Sequence, residues 1–177
     1  NKNTAGTFDK LEAIVDVYGG ATKTTLATAS TINIKAGNFR SVYGGNKAGS
    51  HTGNTVITVD NTTGEVQVAL LDGASVREQT KPGGRTATIT TTGNVTIQNL
   101  FNYDKLTVTS GELTIPAGAA ANNTNINAQL AANYIGKTIL NDEATLKLLN
   151  ANGMRKLGSL ERSAGTDTTK TASLVLK

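Results

Sequence analysis

A chain of 177 residues is long enough for one domain with a sizeable core, yet this one holds only 4% aromatic and 17% charged residues, with no Cys or Trp and a single Met and His. The absence of cysteine excludes disulfides and thiolate metal sites. Its 17 Lys and Arg against 13 Asp and Glu leave a net charge of +4, but the cations stand singly, without the clustered charge and interleaved aromatics of a nucleic-acid surface, and no apolar run is long enough to cross a membrane as a helix.

What remains is 29 Thr, 18 Asn and 19 Gly beside 37 Val, Ile and Leu. Threonine and the β-branched aliphatics suit a pleated, half-buried surface. Asparagine and glycine supply bends with positive φ. The composition predicts an all-β chain with many turns and a core of branched aliphatics.

Along the chain, "AIVDVYGG" is answered by "NFRSVYGG", with Val17-Tyr18-Gly19-Gly20 matching Val42-Tyr43-Gly44-Gly45. Between them lies "STINIKAGNF", and after them "HTGNTVITVDNTTGEVQVALL". Setting the second stretch under the first places Gly37 opposite Gly64 and Val42 near Val68. The unit is an alternating strand, a Gly turn, a second short strand and a Gly-rich loop, about 25 residues in all. The same pattern continues in "TATITTTGNVTIQNL" and in "DKLTVTSGELTIPAG", where Leu106 and Val108 alternate, Ser110-Gly111 turns the chain, and Leu113 and Ile115 alternate again. A short helix is expected in "NINAQLAANYIGK", with Ile126, Leu130, Tyr134 and Ile135 on one face and Gly136 as terminator. "KTILNDEATLKLLNANG" resumes the strands, and "TASLVLK" closes with Leu174 and Leu176.

Short strands joined by one- or two-residue Gly bends, almost without Asn-Gly hairpin signals, fit a coil that keeps stacking. The predicted fold is a right-handed parallel β-helix (a β-solenoid), one elongated domain over residues 1–177. The alternative is an antiparallel β-sandwich, which accounts for the alternation but not for the repeated unit.

"TINIKAGNFRSVYGGNKAGSHTGNTVITV" resembles the Gly-rich rungs of bacterial cell-surface adhesins with a right-handed parallel β-helix of the pectate-lyase-like superfold. "LTVTSGELTIPAG" and "ATLKLLNANG" are similar to rungs of secreted β-helix and autotransporter passenger domains. The resemblance spans most of residues 31–160 and lies in rung pattern, not in a diagnostic motif. It implies an extracellular or cell-surface location and a non-catalytic structural or adhesion module that binds carbohydrate or a host surface protein. The alternative it implies is a polysaccharide lyase or glycoside hydrolase, since both kinds of protein share the superfold. A chain that begins at Asn1 and is low in charge suits a segment of a larger exported protein.

The residues favour the non-catalytic reading. His51 is the only histidine, in the polar loop "GSHTG", where an exposed position is expected. No "G-x-S-x-G" elbow accompanies it. Glycoside hydrolysis needs paired carboxylates, but the only adjacent acids are Asp142-Glu143, while Asp16, Asp60, Asp72 and Asp104 stand singly. No catalytic, cofactor or metal residue is assigned, and no cofactor is expected. The candidate ligand surface is Tyr18 and Tyr43, as a ladder on neighbouring rungs, with Lys81 and Arg85 in the basic turn "KPGGR", expected to be exposed. Thr86, Thr88 and Thr90 line one strand face, an arrangement that some ice-binding proteins repeat on every rung. Here no repeat at rung spacing is expected. The sequons at Asn61, Asn94 and Asn122 match by chance in a chain this rich in Asn and Thr.

Overall fold

A computed structural model describes residues 15–76, 84–116, 135–149, 158–163 and 169–176. These residues form thirteen strands: β1 (Asp16–Tyr18), β2 (Ser30–Ile34), β3 (Gly37–Tyr43), β4 (Thr55–Asp60), β5 (Val66–Asp72), β6 (Ala87–Thr92), β7 (Val95–Phe101), β8 (Tyr103–Ser110), β9 (Glu112–Ile115), β10 (Ile135–Leu140), β11 (Thr145–Leu148), β12 (Leu160–Arg162) and β13 (Ser173–Leu176). Odd-numbered strands make one seven-stranded sheet in chain order, and even-numbered strands make a six-stranded sheet in the same order. Each strand therefore pairs with the strand two places along, and each of these pairings is parallel. Consecutive strands on opposite sheets, stacked rung on rung, make a parallel β-solenoid. The antiparallel sandwich is excluded by every one of these pairings.

Alternation places the core. In β4 and β6 the residues Thr55, Ile57, Val59 and Ala87, Ile89, Thr91 are buried, and those between them face outward. The two sheets press Ile57, Ile89, Leu106 and Val108 against Val68, Ile97, Leu113 and Leu146 in one continuous aliphatic core. Each such side chain contributes about 1.5–3 kcal/mol on burial. No rung could stand alone, because its inward aliphatics are covered by the rungs above and below.

The register corrects the expected unit. Tyr18, Tyr43, Asp72 and Phe101 share one column of register partners. In the central coil Asn46 meets Ser75 on the next rung, so the rung there is about 29 residues long. Ile32 pairs with Ile57 and Ile34 with Val59, as the aligned sequence predicts. Gly37, however, pairs with Val66, and Val42 with Leu71. The turn "NTTG" is longer than "KAG" and displaces the second strand. The tightest rung returns from Thr88 to Lys105. It needs only Gly93-Asn94 between β6 and β7 and the single residue Asn102 between β7 and β8. Asn102 sits at φ 49°, in the left-handed region that asparagine tolerates better than most side chains.

The expected helix is not borne out where it can be read. Ile135 and Gly136 open β10, and Gly136 lies so close to the Asp104 carbonyl of the rung before that a Cβ would collide with it. The rest of that stretch, from Ile126 to Tyr134, falls outside the described residues.

Candidate functional site

The repeated "VYGG" is a stacking device. Val17 and Val42 pair in register and turn toward the core, and Tyr18 and Tyr43 pair on the opposite, outer side. The next residues carry the parallel pairing on: the Gly19 amide donates to the Tyr43 carbonyl (2.9 Å), Gly44 to Asp72 (2.8 Å) and Gly73 to Phe101 (3.1 Å). Backbones approach so closely here that a Cβ on Gly44 would lie 2.7 Å from the Gly73 oxygen, and one on Gly19 would enter the Gly44 carbonyl. Only glycine fits between these peptide groups.

Gly45 makes room for Ser75 of the next rung, as Gly20, the second glycine of the first pair, does for Asn46. This side chain is wholly buried. Its Oδ1 accepts from the Ala21 amide (2.7 Å), and its Nδ2 donates to the carbonyls of Thr24 (2.9 Å) and Ser50 (2.8 Å). Its own amide donates to the Ser75 hydroxyl (2.9 Å). One asparagine thus joins the lateral loops of three rungs.

Tyr18 and Tyr43 lie on neighbouring rungs, as expected, with ring centroids 5.4 Å apart and planes 3° from parallel. Both are half-buried, and Lys47 Nζ stands 5.7 Å from the Tyr18 centroid, within reach of its ring quadrupole. The two rings stack on each other from one rung to the next. The stack covers one face of each ring, the kind of face on which a sugar would stack. Burial raises the Tyr43 hydroxyl above its ordinary pKa.

Two expectations are overturned by burial. Arg85 is not on an exposed turn: its side chain is fully buried and its Nη1 donates to the His51 carbonyl (3.2 Å). His51 is fully buried as well, in a parallel bridge with Leu26, with its Nε2 2.8 Å from the Thr28 carbonyl. Since a carbonyl only accepts, Nε2 carries the proton there. Loop composition suggested solvent, but the lateral loops pack on one another and take His51 inside. Lys81 lies outside the described residues.

The single acids are tied down locally. Arg40 makes a two-point ion pair with Asp16, through Nε at 2.9 Å and through Nη2, and this bond holds the Asp16 carboxyl below its ordinary range. Asp60 accepts from the amide and hydroxyl of Thr62 (2.9 and 2.6 Å), which lowers it likewise. Asp72 is buried, receiving the Ala74 amide (2.8 Å) and the Asn102 amide group (3.1 and 3.2 Å). Asp104 accepts from the Ala87 amide (2.6 Å). Asp142 pairs with Arg162, while its neighbour Glu143 pairs with Lys170. Among the described residues no three acidic or histidine side chains converge on one point.

The outer face of the even-numbered sheet holds what the sequence did not reveal. Thr58, Thr90 and Thr107 occupy one outward column on three successive rungs, with Asn33 before them and Ile139 after. The parallel column beside it runs Thr31, Val56, Thr88, Lys105 and Lys137. Threonine therefore does recur at rung spacing, in one column of three. The spacing was hidden because the rungs differ in length: the step from Thr58 to Thr90 is nearly twice that from Thr90 to Thr107. Among the described residues, the hydroxyls of Thr58, Thr90 and Thr107 bond to nothing in the chain. Along the column they repeat at about 4.8 Å, the spacing of paired strands.

No protein-family model, no curated protein and no solved structure matches this chain.

Proposed function

We propose that this chain is a non-catalytic structural and adhesion module of an exported bacterial protein, a stiff solenoid that carries a hydroxyl-bearing flat face to a carbohydrate or host surface. The observation that carries this reading is the use of the polar groups. Asp16–Arg40, Glu112–Lys147, Lys137–Glu161, Asp72–Asn102 and the bonds of Asn46 to Ala21, Thr24 and Ser75 tie one rung to another. The outward hydroxyls of Thr58, Thr90 and Thr107 are left available on a rigid lattice. A chain arranged in this way resists deformation and offers a surface, with Asp16, Asp72, Glu112 and Glu161 engaged in holding the coil.

The test is retention on immobilised polysaccharides and host glycoconjugates, comparing the protein with a Thr58→Glu/Thr90→Glu/Thr107→Glu variant. Retention by the parent and its loss in the variant are expected. Uniform failure to bind contradicts the adhesion reading. Release of new reducing ends or of unsaturated sugars from the same polysaccharides would favour a hydrolase or lyase instead.

A further inference from the structure

Five cations stand on the described strands. Four of them hold an acid: Arg40 holds Asp16, Lys137 holds Glu161 (3.3 Å), Lys147 holds Glu112 (3.3 Å) and Arg162 holds Asp142 (2.6 Å). The fifth is Lys105, in β8. Its side chain is exposed, and among the described residues its ammonium makes no ion pair or hydrogen bond.

The acids near Lys105 are already engaged. In register it lies between Thr88 and Lys137, and like charges side by side on a sheet repel. Glu161 is taken by Lys137. Asp104, the residue before, turns its carboxylate to the Ala87 amide (2.6 Å). Lys105 therefore ties no rung to another, in a chain that pairs every other described strand cation.

The residues around it are threonines. Thr90 and Thr107 are register partners, as are Thr88 and Lys105, so the four form one outward block on β6 and β8. The block presents one ammonium and three hydroxyls, with no carboxylate. Strands β4 and β10 flank it on either side, so it belongs to the middle of the sheet and not to an end. The two columns that cross it hold no aromatic ring from Thr31 to Ile139, which leaves no platform for stacked bases.

We propose that Lys105 sets the specificity of the threonine face, and that the ligand is an anionic polysaccharide bearing carboxylate or sulfate groups among its hydroxyls. This deepens the adhesion reading and rests on it. The ammonium, a compact charge on a flexible stem, meets the anionic group. The threonine hydroxyls beside it exchange hydrogen bonds with the sugar.

The experiment is retention on immobilised dextran, carboxymethyl dextran and dextran sulfate, three supports that share a backbone and differ in charge. The protein is expected to be held by a charged support more firmly than by dextran, and less firmly as salt rises. The charged support that holds it identifies the anion. Lys105→Gln, at an exposed and unpaired position, is expected to bind about tenfold more weakly, and Lys105→Arg to keep the binding. Lys23→Gln removes the same charge from the exposed loop before β2 and is expected to change nothing. Equal retention of the protein and Lys105→Gln overturns the inference, as does an equal loss in Lys23→Gln or equal retention on dextran. If the Thr58→Glu/Thr90→Glu/Thr107→Glu variant still loses retention in those cases, the adhesion reading stands without this one. Retention on none of the three supports overturns the inference alone, since the wider set of polysaccharides decides the adhesion reading.

Discussion

Tyr18 and Tyr43 are stacked face to face, 5.4 Å between centroids, because the backbone register makes them direct partners in β1 and β3. The stack locks the first rung onto the second at the place where "VYGG" repeats. A double-mutant cycle of Tyr18→Ala and Tyr43→Ala, followed by urea unfolding, is expected to give a coupling of about 0.5–1.5 kcal/mol. Strict additivity of the two substitutions would show that the rings do not hold the rungs together.

Gly44→Ala is expected to be a strongly damaging single-methyl addition. Its Cβ would meet the Gly73 oxygen at 2.7 Å and the Thr55 side chain at 2.9 Å. Neither backbone can yield without parting two rungs, so the cost is about 3 kcal/mol or more, at the upper end for overpacking. Gly84→Ala is the contrasting case: a Cβ there meets no atom, and only the left-handed φ of 79° opposes it. Its expected cost is about 1 kcal/mol. Chemical denaturation of the two variants checks the order.

Asn46→Ala removes a buried amide that serves three backbone groups in two loops. Leaving those groups without partners is expected to cost about 3 kcal/mol. The loss should be local, read as faster hydrogen exchange at the Ala21 amide, with exchange at Ile57 and Ile89 in the sheet unchanged.

The alkaline limb of stability is expected to depend on Tyr103. Burial raises its pKa, and its hydroxyl lies 3.2 Å from the Thr138 hydroxyl. A tyrosine raised in the folded state favours the neutral form there. Its contribution is therefore complete below the unfolded value of about 10 and is lost as pH climbs through the raised folded value. Tyr103→Phe should flatten the fall in stability above pH 10 in a denaturation series, leaving the slope due to Tyr43 and Tyr18, and should cost about 1 kcal/mol at neutral pH. An unchanged alkaline slope would contradict the assignment.

The parallel solenoid was legible in the sequence because each rung alternates on both strands and because "VYGG" marks one bend twice. The first-strand register, Ile32 over Ile57, could be read directly since those strands hold no insertion. What could not be read followed from unequal turns. The second-strand register moved where "NTTG" replaces "KAG", and the threonine column was scattered by rungs of unequal length. His51 and Arg85 were misplaced for a different reason. Polar loop residues are ordinarily solvated, but in a solenoid the loops stack like the strands and bury each other's side chains. A polar residue in a repeated loop is thus as much a candidate for the interior as for the surface.

The rung register itself can be tested by one cross-link. The chain has no cysteine, and Thr58 and Thr90 are register partners in β4 and β6, both facing outward. Paired strands lie about 4.8 Å apart, which falls within the Cα separations that a disulfide spans. Oxidised Thr58→Cys/Thr90→Cys is expected to form an intramolecular disulfide, found by peptide mapping. Thr58→Cys/Thr96→Cys, with its cysteines on different sheets, is expected to stay reduced. A stable link between positions 58 and 96, or none between 58 and 90, would contradict the stacked-rung account.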